Sequence, residues 1–445
     1  MGGTESGNPF RDEAIVRQAQ ENIEQHRKAE GRLQLTDATG RPLARVPVEI
    51  ELQRHAFLFG CEVWELDALI RDGRGGSDRA HAWRHRFVEL FNASTNLCYW
   101  TERPRHDASK TEDRQGEPRL DNFVETVEWS LAQGLTAKGH PLFWSIPKCI
   151  PPWALRYDTE TMMKFAEVRV RSLVARFRGR VRLWDAVNEP LWEAAPANLA
   201  RRQWPHIEPI PVLADYIAEV LRWCREEDPD ACYLVNDYGL EGGEEPARIG
   251  SDGSRVTPAS QRRRFLALIE ELDRRGALPD ALGLQSHTAG WIPPSEQWKV
   301  YDEMAQAGRP LHITEFWASL KEAPPMFTSD EERERARAEY VAQYLTCAFG
   351  HPAIEGFFFW GVMKDAIRWL NPLSGHEPTL VYDVLRRLIH SEWHTRLRAE
   401  TDAEGRVAFR GFLGEYAVHR LDTRAPIGRR FTLQRACSEA LSIRF

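Results

Sequence analysis

Two periodicities alternate along this chain. Between residues 55 and 393, short apolar runs alternate with longer segments in which apolar residues return every three to four positions. The runs are HAFLFGCEV (55–63), STNLCYW (94–100), TAKGHPLFW (136–144), VRLWDAVNE (181–189), CYLVNDYG (232–239), ALGLQSH (281–287), PLHITEF (310–316) and IEGFFFWG (354–361). Each precedes an amphipathic stretch, at about 80–91, 120–133, 160–178, 211–227, 259–275, 295–307, 330–348 and 379–391. A strand regularly followed by a helix implies a parallel sheet, and eight such units are the number that closes a (β/α)8 TIM barrel. The alternative is a doubly wound open sheet. That fold usually places a glycine-rich phosphate loop after an early strand, and the sequence has none.

The two ends follow other patterns. Residues 11–30 have Ile15, Ala19 and Ile23 on one helical face. Residues 32–53 alternate with period two on both sides of the turn signal DATGRP and read as a β-hairpin. Residues 395–421 give short alternating strands broken by Asp-Ala-Glu-Gly and Gly-Glu, and the last residues add more. The expected organisation is an N-terminal helical segment (1–31), a hairpin (32–54), a catalytic barrel (55–393) and C-terminal strands (394–445). Together the two ends are expected to pair into one small β module.

Composition narrows the function classes. Hydrophobic residues make up 42% of the 445 and charged residues 28%, an ordinary globular mix. The net charge of -7 argues against nucleic acid as a partner, and basic pieces such as QRRRF (261–265) sit among acids at helical spacing. No apolar run is long enough to span a membrane. The N-terminus has neither a basic start nor an apolar core, so a cytoplasmic location is expected as written. Seven dispersed cysteines without a C-x-x-C pair fit reduced thiols. Sixteen tryptophans, several beside polar residues, offer flat faces of the kind on which sugar rings stack.

The polar residues gather where the apolar runs end. In a barrel those ends carry the active site. They supply Asn96 and Trp100, His140 and Trp144, Asn188 and Glu189, Asn236, Asp237 and Tyr238, Gln285 and His287, Glu315, and Trp360. Glu189 ends the fourth run and Glu315 the seventh. Two carboxylates in a pocket of Trp, Asn, Gln and His suit glycoside hydrolysis. One protonates the leaving oxygen; the other attacks the anomeric carbon or activates water there.

The chain resembles glycoside hydrolase family 10, the endo-β-1,4-xylanase family of (β/α)8 barrels. The matching pieces are GHPLFW (139–144), WDAVNEP (184–190), NDY (236–238), LQSH (284–287), ITEF (313–316) and WGVMKDAIRW (360–369), in the family's order. The resemblance implies that Glu189 is the acid/base and Glu315 the nucleophile of a retaining double displacement. It implies that Asn188 binds the sugar 2-hydroxyl, that His287 bonds Glu315 and that Gln285 lines the same space. His140, Trp144, Trp360 and Trp369 would wall the sugar pocket. No metal or organic cofactor is implied. The substrate would be xylan, a xylo-oligosaccharide or another β-1,4-linked saccharide.

Three departures stand out. Where the family shows Glu-Asn-x-x-Lys-Trp after the second strand, this chain has Thr95-Asn96-Leu97-Cys98-Tyr99-Trp100. Hydrogen bonds to charged groups contribute roughly 1.5–3 kcal/mol each, so losing that Glu and Lys changes the grip on the glycone-side sugar. The family's Trp-His-Ser-Gln becomes Trp144-Ser145-Ile146-Pro147, and Leu-Asp after the nucleophile becomes Phe316-Trp317. A different β-linked oligosaccharide or glycoside is therefore an alternative substrate, and a non-catalytic carbohydrate-binding barrel is a rival from another class.

Weaker signals have blander readings. His81 and His85 have i, i+4 spacing but no evident third ligand, which suits surface histidines better than zinc. NAS (92–94) is a sequon that matters only in a secreted chain. Asp185 and Asp237 read as structural acceptors. No aromatic row marks the terminal module as a sugar binder.

Overall fold

The computed structural model describes residues 10–101, 110–112, 114–286, 291–320, 323–360, 370–371, 377–423, 427–435 and 440–445. Strands β1 (Lys28–Thr36) and β2 (Pro47–His55) precede the barrel strands β3 (Leu58–Glu62), β4 (Ala93–Leu97) and β5 (Thr136–His140). The short β6 (Phe143–Trp144) leads to β7 (Leu183–Asn188) and β8 (Cys232–Asp237). A small ladder of β9 (Arg248–Ile249) and β10 (Arg255–Val256) comes before β11 (Ala281–Leu284), β12 (Leu311–Phe316) and β13 (Ile354–Phe359). A second ladder, β14 (Leu370–Asn371) with β15 (Glu377–Pro378), precedes β16 (Arg396–Glu400), β17 (Arg406–Phe412), β18 (Gly414–Arg420), β19 (Ile427–Leu433) and β20 (Leu441–Arg444).

Eight strands close a parallel ring in the order β3-β4-β5-β7-β8-β11-β12-β13 and back to β3. This is the (β/α)8 barrel expected from the alternation of runs. The joint between β5 and β7 is the thinnest. It has two residue pairs, Lys138↔Leu183 and Gly139↔Trp184, where every other joint has at least three. Gly139 is required there: a Cβ would lie 2.2 Å from the Trp184 indole. Ala93, Leu183, Leu234, Ala281 and Phe358 pack together as a small cluster of their own, apart from the main core.

The helices are α1 (Glu13–His26), α2 (Trp64–Arg71), α3 (Asp78–Leu90), α4 (Asp121–Ala132), α5 (Thr159–Arg176), α6 (Ile210–Glu227), α7 (Pro258–Arg274), α8 (Pro294–Ala305), α9 (Asp330–Gly350) and α10 (Leu380–Arg387). Side-chain caps start several of them. Ser77, Asp158, Thr257 and Ser329 each accept an N–H of the first turn, and Ser329 forms a full capping box with Glu332. The short α2 follows β3 almost directly, with no capping side chain at Val63 to announce it in the sequence.

The ends of the chain pair as two sheets. β1 lies between β17 and β20, and β2 lies between β16 and β18, with β19 beyond β18. The expected hairpin over 32–53 is therefore corrected: β1 and β2 belong to different sheets. The chain does reverse tightly, with Leu43 N–H donating to Leu35 O at 3.0 Å. It then passes through Arg45 (φ 57°) into the second sheet. Leu33 and Leu35 share one core with Val48, Ile50 and Leu52. Strands that face each other across a core alternate in the same way as strands that pair edge to edge, so the period alone could not separate the two.

α1 packs on α9, where a Cβ on Gly350 would come within 2.5 Å of Ala19 O. Beside that contact Arg27 donates from Nε to Phe349 O (2.5 Å) and from Nη2 to His351 O (2.7 Å) and Ile354 O (2.6 Å). This ties the N-terminal segment to the end of α9 and the start of β13, the last barrel strand.

Candidate active site

A cleft of about 840 Å3 opens at the C-terminal ends of the barrel strands. Its lining includes Glu189, Glu315, Asn188, His140, Trp144, Tyr238 and Trp360. The barrel delivers these residues because each ends a strand or directly follows one.

Glu189 follows β7 in a left-handed conformation (φ 55°), uncommon outside glycine and found at functional positions. Its backbone N–H donates to Asn236 O at 2.7 Å, which fixes the turn against β8. Gln285 Nε2 donates to Glu189 Oε1 at 3.1 Å. Burial pushes the Glu189 carboxyl up to about 8; the Gln285 bond and Lys148 act in the other direction, while Glu315 and Glu193 add to the rise. Glu315, at the end of β12, accepts a hydrogen bond from Asn236 Nδ2 at 2.8 Å. Hydrogen bonds to an ionised carboxylate favour the charged form.

An amide relay joins the two acids. Asn188 Oδ1 accepts from Asn236 Nδ2 (2.9 Å) and lies 3.4 Å from Gln285 Nε2. Asn236 Oδ1 in turn accepts from the Thr314 hydroxyl. With Oδ1 committed, the Asn188 Nδ2 is left without an acceptor among the described residues.

Below the cleft sits a buried trio of Asp185, Lys138 and His140. Asp185 Oδ2 is 2.7 Å from Lys138 Nζ and 2.7 Å from His140 Nδ1. Burial alone would raise the Asp185 carboxyl, but Lys138 and His140 together hold it below its ordinary value. His140 meets Trp360 and Tyr99 edge-on, at 5.2 and 5.6 Å between ring centres. Asp185 and Asp237 are both structural acceptors here, as expected from the sequence. Asp237 takes the N–H groups of Leu191 and Tyr238, each at 2.8 Å.

Two expected residues are not brought to the cleft. Asn96 is buried between β4 and α4, donating to Ser94 Oγ (3.0 Å) and accepting from Ser130 Oγ (3.4 Å). The period-two alternation of β4 explains this: Asn96 shares the face of Ser94, while Ala93 packs in the cluster with Phe358 and Leu97 packs with the cleft aromatics. Trp100 turns away as well, donating to Glu112 Oε2 at 3.0 Å and meeting Trp153 edge-on. Gln285 is reached through its bond to Glu189. His287 and Trp369 lie outside the described residues.

The sequence reading left several lining residues without a role. Trp64, Tyr99 and Trp317 join Trp144 and Trp360 in an aromatic wall, with Trp64 5.1 Å from Trp360. The Lys148 ammonium sits 4.5 Å over the Trp144 ring. Opposite them, Trp192 stacks between Tyr238 (5.1 Å) and Trp204 (5.9 Å), and Arg202 pairs with the buried Glu193. Trp64 and Trp317 were findable, since they lie two residues and one residue past the ends of β3 and β12. Arg202 and Trp204 come from a long β7–α6 connection with no periodic signal. The described residues contain no cluster of three or more metal-ligating side chains. Asn92 of the sequon is engaged, accepting from Phe59 N–H (2.8 Å) and donating to Phe57 O (2.9 Å) and His55 O (3.2 Å).

The fold has solved counterparts. Xylanase 10B from Thermotoga petrophila RKU-1, in complex with xylobiose, superposes with a TM-score of 0.55 at 20% identity, covering 76% of this chain and 95% of that one. In sequence, 91% of the chain aligns at 24% identity with anti-sigma-I factor RsgI6 of Acetivibrio thermocellus, and 75% aligns at 24% with endo-1,4-beta-xylanase 3 of Arabidopsis thaliana. The alignments span 46% and 39% of those two proteins, so the chain covers about half their length or less. Residues 98–386, well over half of the chain, match the family model for glycosyl hydrolase family 10, and the chain belongs to that family.

Proposed function

We propose that the protein is a retaining β-glycosidase that cleaves β-1,4-linked xylan or xylo-oligosaccharides in the manner of an endo-xylanase. The observation that carries this reading is the contrast between two acids in one cleft. Glu189 is pushed up to about 8 and holds its proton at neutral pH. Glu315 accepts the Asn236 amide, which favours its charge. Glu189 then protonates the leaving oxygen while Glu315 attacks the anomeric carbon. In the second step Glu189 takes a proton from water, which displaces Glu315. Asn188 Nδ2 donates to the sugar 2-hydroxyl, and Trp144 and Trp360 stack on the rings. Membership of family 10 and the xylanase relatives support the same reading.

Three measurements test it. Glu315→Gln abolishes turnover while sparing sugar binding. Azide partly restores Glu189→Ala on activated aryl glycosides, because azide needs no general base. Proton NMR of the first product shows the retained anomer, and an inverted one overturns the double displacement.

A second reading is favoured by one comparison. The relative that aligns over 91% of the chain is named as an anti-sigma factor rather than as an enzyme. A barrel that binds saccharide without turnover would bind xylo-oligosaccharides and leave every β-glycoside intact.

A further inference from the structure

A second cavity, of about 530 Å3, lies at the opposite end of the barrel from the cleft. Leu58, Thr136, Leu183 and Cys232, all at the starts of barrel strands, face it from one side; Leu413 and Arg435 of the terminal module face it from the other. Three arginines reach it. Arg27 comes from the link between α1 and β1, Arg182 from just before β7, and Arg435 from just after β19.

None of the three forms an ion pair among the described residues. Elsewhere Arg171, Arg275 and Arg406 each bond two or more carboxylates. Arg27 spends Nε and Nη2 on backbone carbonyls, and Nη1 has no acceptor among the described residues. Arg435 donates Nε and Nη2 to His26 O, at 3.0 and 2.5 Å. Arg182 reaches Gly179 O from Nε at 3.4 Å. Glu355 is the single acid in the described lining. Two buried histidines, His55 and His312, line the same space, and His55 Nε2 and His312 Nδ1 have no hydrogen-bond partner among the described residues.

Among the described residues the positive charge is only partly compensated: Glu355 alone supports the Arg27 guanidinium against burial and Arg435. Burial and then Arg435 pull the Arg27 guanidinium down to about 10. Burial, Arg435 and Arg27 lower the His26 imidazole as well. An anion between these groups would relieve that repulsion, and guanidinium N–H groups match the spacing of carboxylate and phosphate oxygens.

We propose that this cavity is an anion-binding site for one compact oxyanion, an inorganic phosphate or the carboxylate of a sugar acid, held by Arg27 Nη1 with Arg182 and Arg435. Its size is that of a small-molecule pocket. Arg182 belongs to the barrel and Arg435 to the module, so the bound anion joins the two. The site is independent of the cleft and of any turnover there.

Calorimetric titration of the full chain at low ionic strength tests this, using sodium phosphate, sodium glucuronate and neutral xylose, with sodium chloride as the ionic-strength control. The expected result is saturable binding of phosphate, glucuronate or both, with no response to xylose. A response to phosphate alone assigns the phosphate class, and a response to glucuronate alone assigns the sugar acid. Arg182→Gln with Arg435→Gln weakens binding at least about tenfold and removes the anion-dependent rise in Tm. If the pair fails to fold, the single variants are read in the same way. No binding beyond the chloride control up to about 10 mM overturns the proposal. Unchanged affinity in the folded variants overturns it too.

Discussion

Gln285 Nε2 donates to Glu189 Oε1 at 3.1 Å, and this bond works against the burial that raises the same carboxyl. The acid is therefore poised by two opposed effects, with burial the larger.

The balance sets the alkaline limb of activity. With Glu189 titrating near 8, kcat/KM falls as pH rises through that region, because the proton donor is lost. Gln285→Leu removes a bond to the charged form, so the limb moves upward even though the maximum rate drops. A limb that stays in place in a pH–rate series shows that the bond does not tune the acid.

The same acid costs stability at high pH. The folded value is about 8 and the ordinary one is 4.5, so the native state holds the extra proton between them. The contribution of Glu189 is fully present below about 4.5 and is lost as pH rises through about 8. Glu189→Gln escapes that loss. Urea denaturation at pH 9 should find the variant more stable than the wild type, with a difference on the order of a few kcal/mol that vanishes near pH 4.

Lys138 and Asp185 are wholly buried and 2.7 Å apart. Asp185→Asn strands an ammonium and should cost about 3–5 kcal/mol in chemical denaturation. Lys138→Met combined with Asp185→Leu should recover much of it, since an apolar pair leaves no buried charge. Equal losses in the single and double variants rule out this account.

Thr95 occupies the position where the family resemblance leads one to expect a glutamate, and it is buried on β4 with a hydroxyl that has no partner among the described residues. Thr95→Glu alone should destabilise the fold by several kcal/mol, because no cation has come with it. A thermal melt close to the wild type would show that the pocket still holds a partner for a carboxylate.

The barrel was legible because eight apolar runs and eight amphipathic stretches carry distinct periods, and the proposed acids end two of those runs. Asn96 shows where motif reading failed. Its place in a motif put it in the cleft, while strand parity, equally present in the sequence, puts it with Ser94 against α4. The hairpin over 32–53 failed for a different reason: its alternation is common to paired and facing strands. Arg202, Trp204 and Lys148 were illegible because irregular connections bring them in, and only the folded chain sets them beside the acids.

The narrow joint between β5 and β7 gives the barrel a clasp. Two backbone pairs would hold weakly on their own; β6 adds two more pairs on β7, Leu142 N–H donates to Asp185 O at 2.9 Å, and the Asp185 side-chain contacts and Trp184 lying over Gly139 strengthen the closure. The carboxylate that fastens the ring also orients His140 at the mouth of the cleft. Protonating Asp185 in acid would loosen both together, so the strength of this joint and the readiness of the site above it rise and fall with one carboxylate.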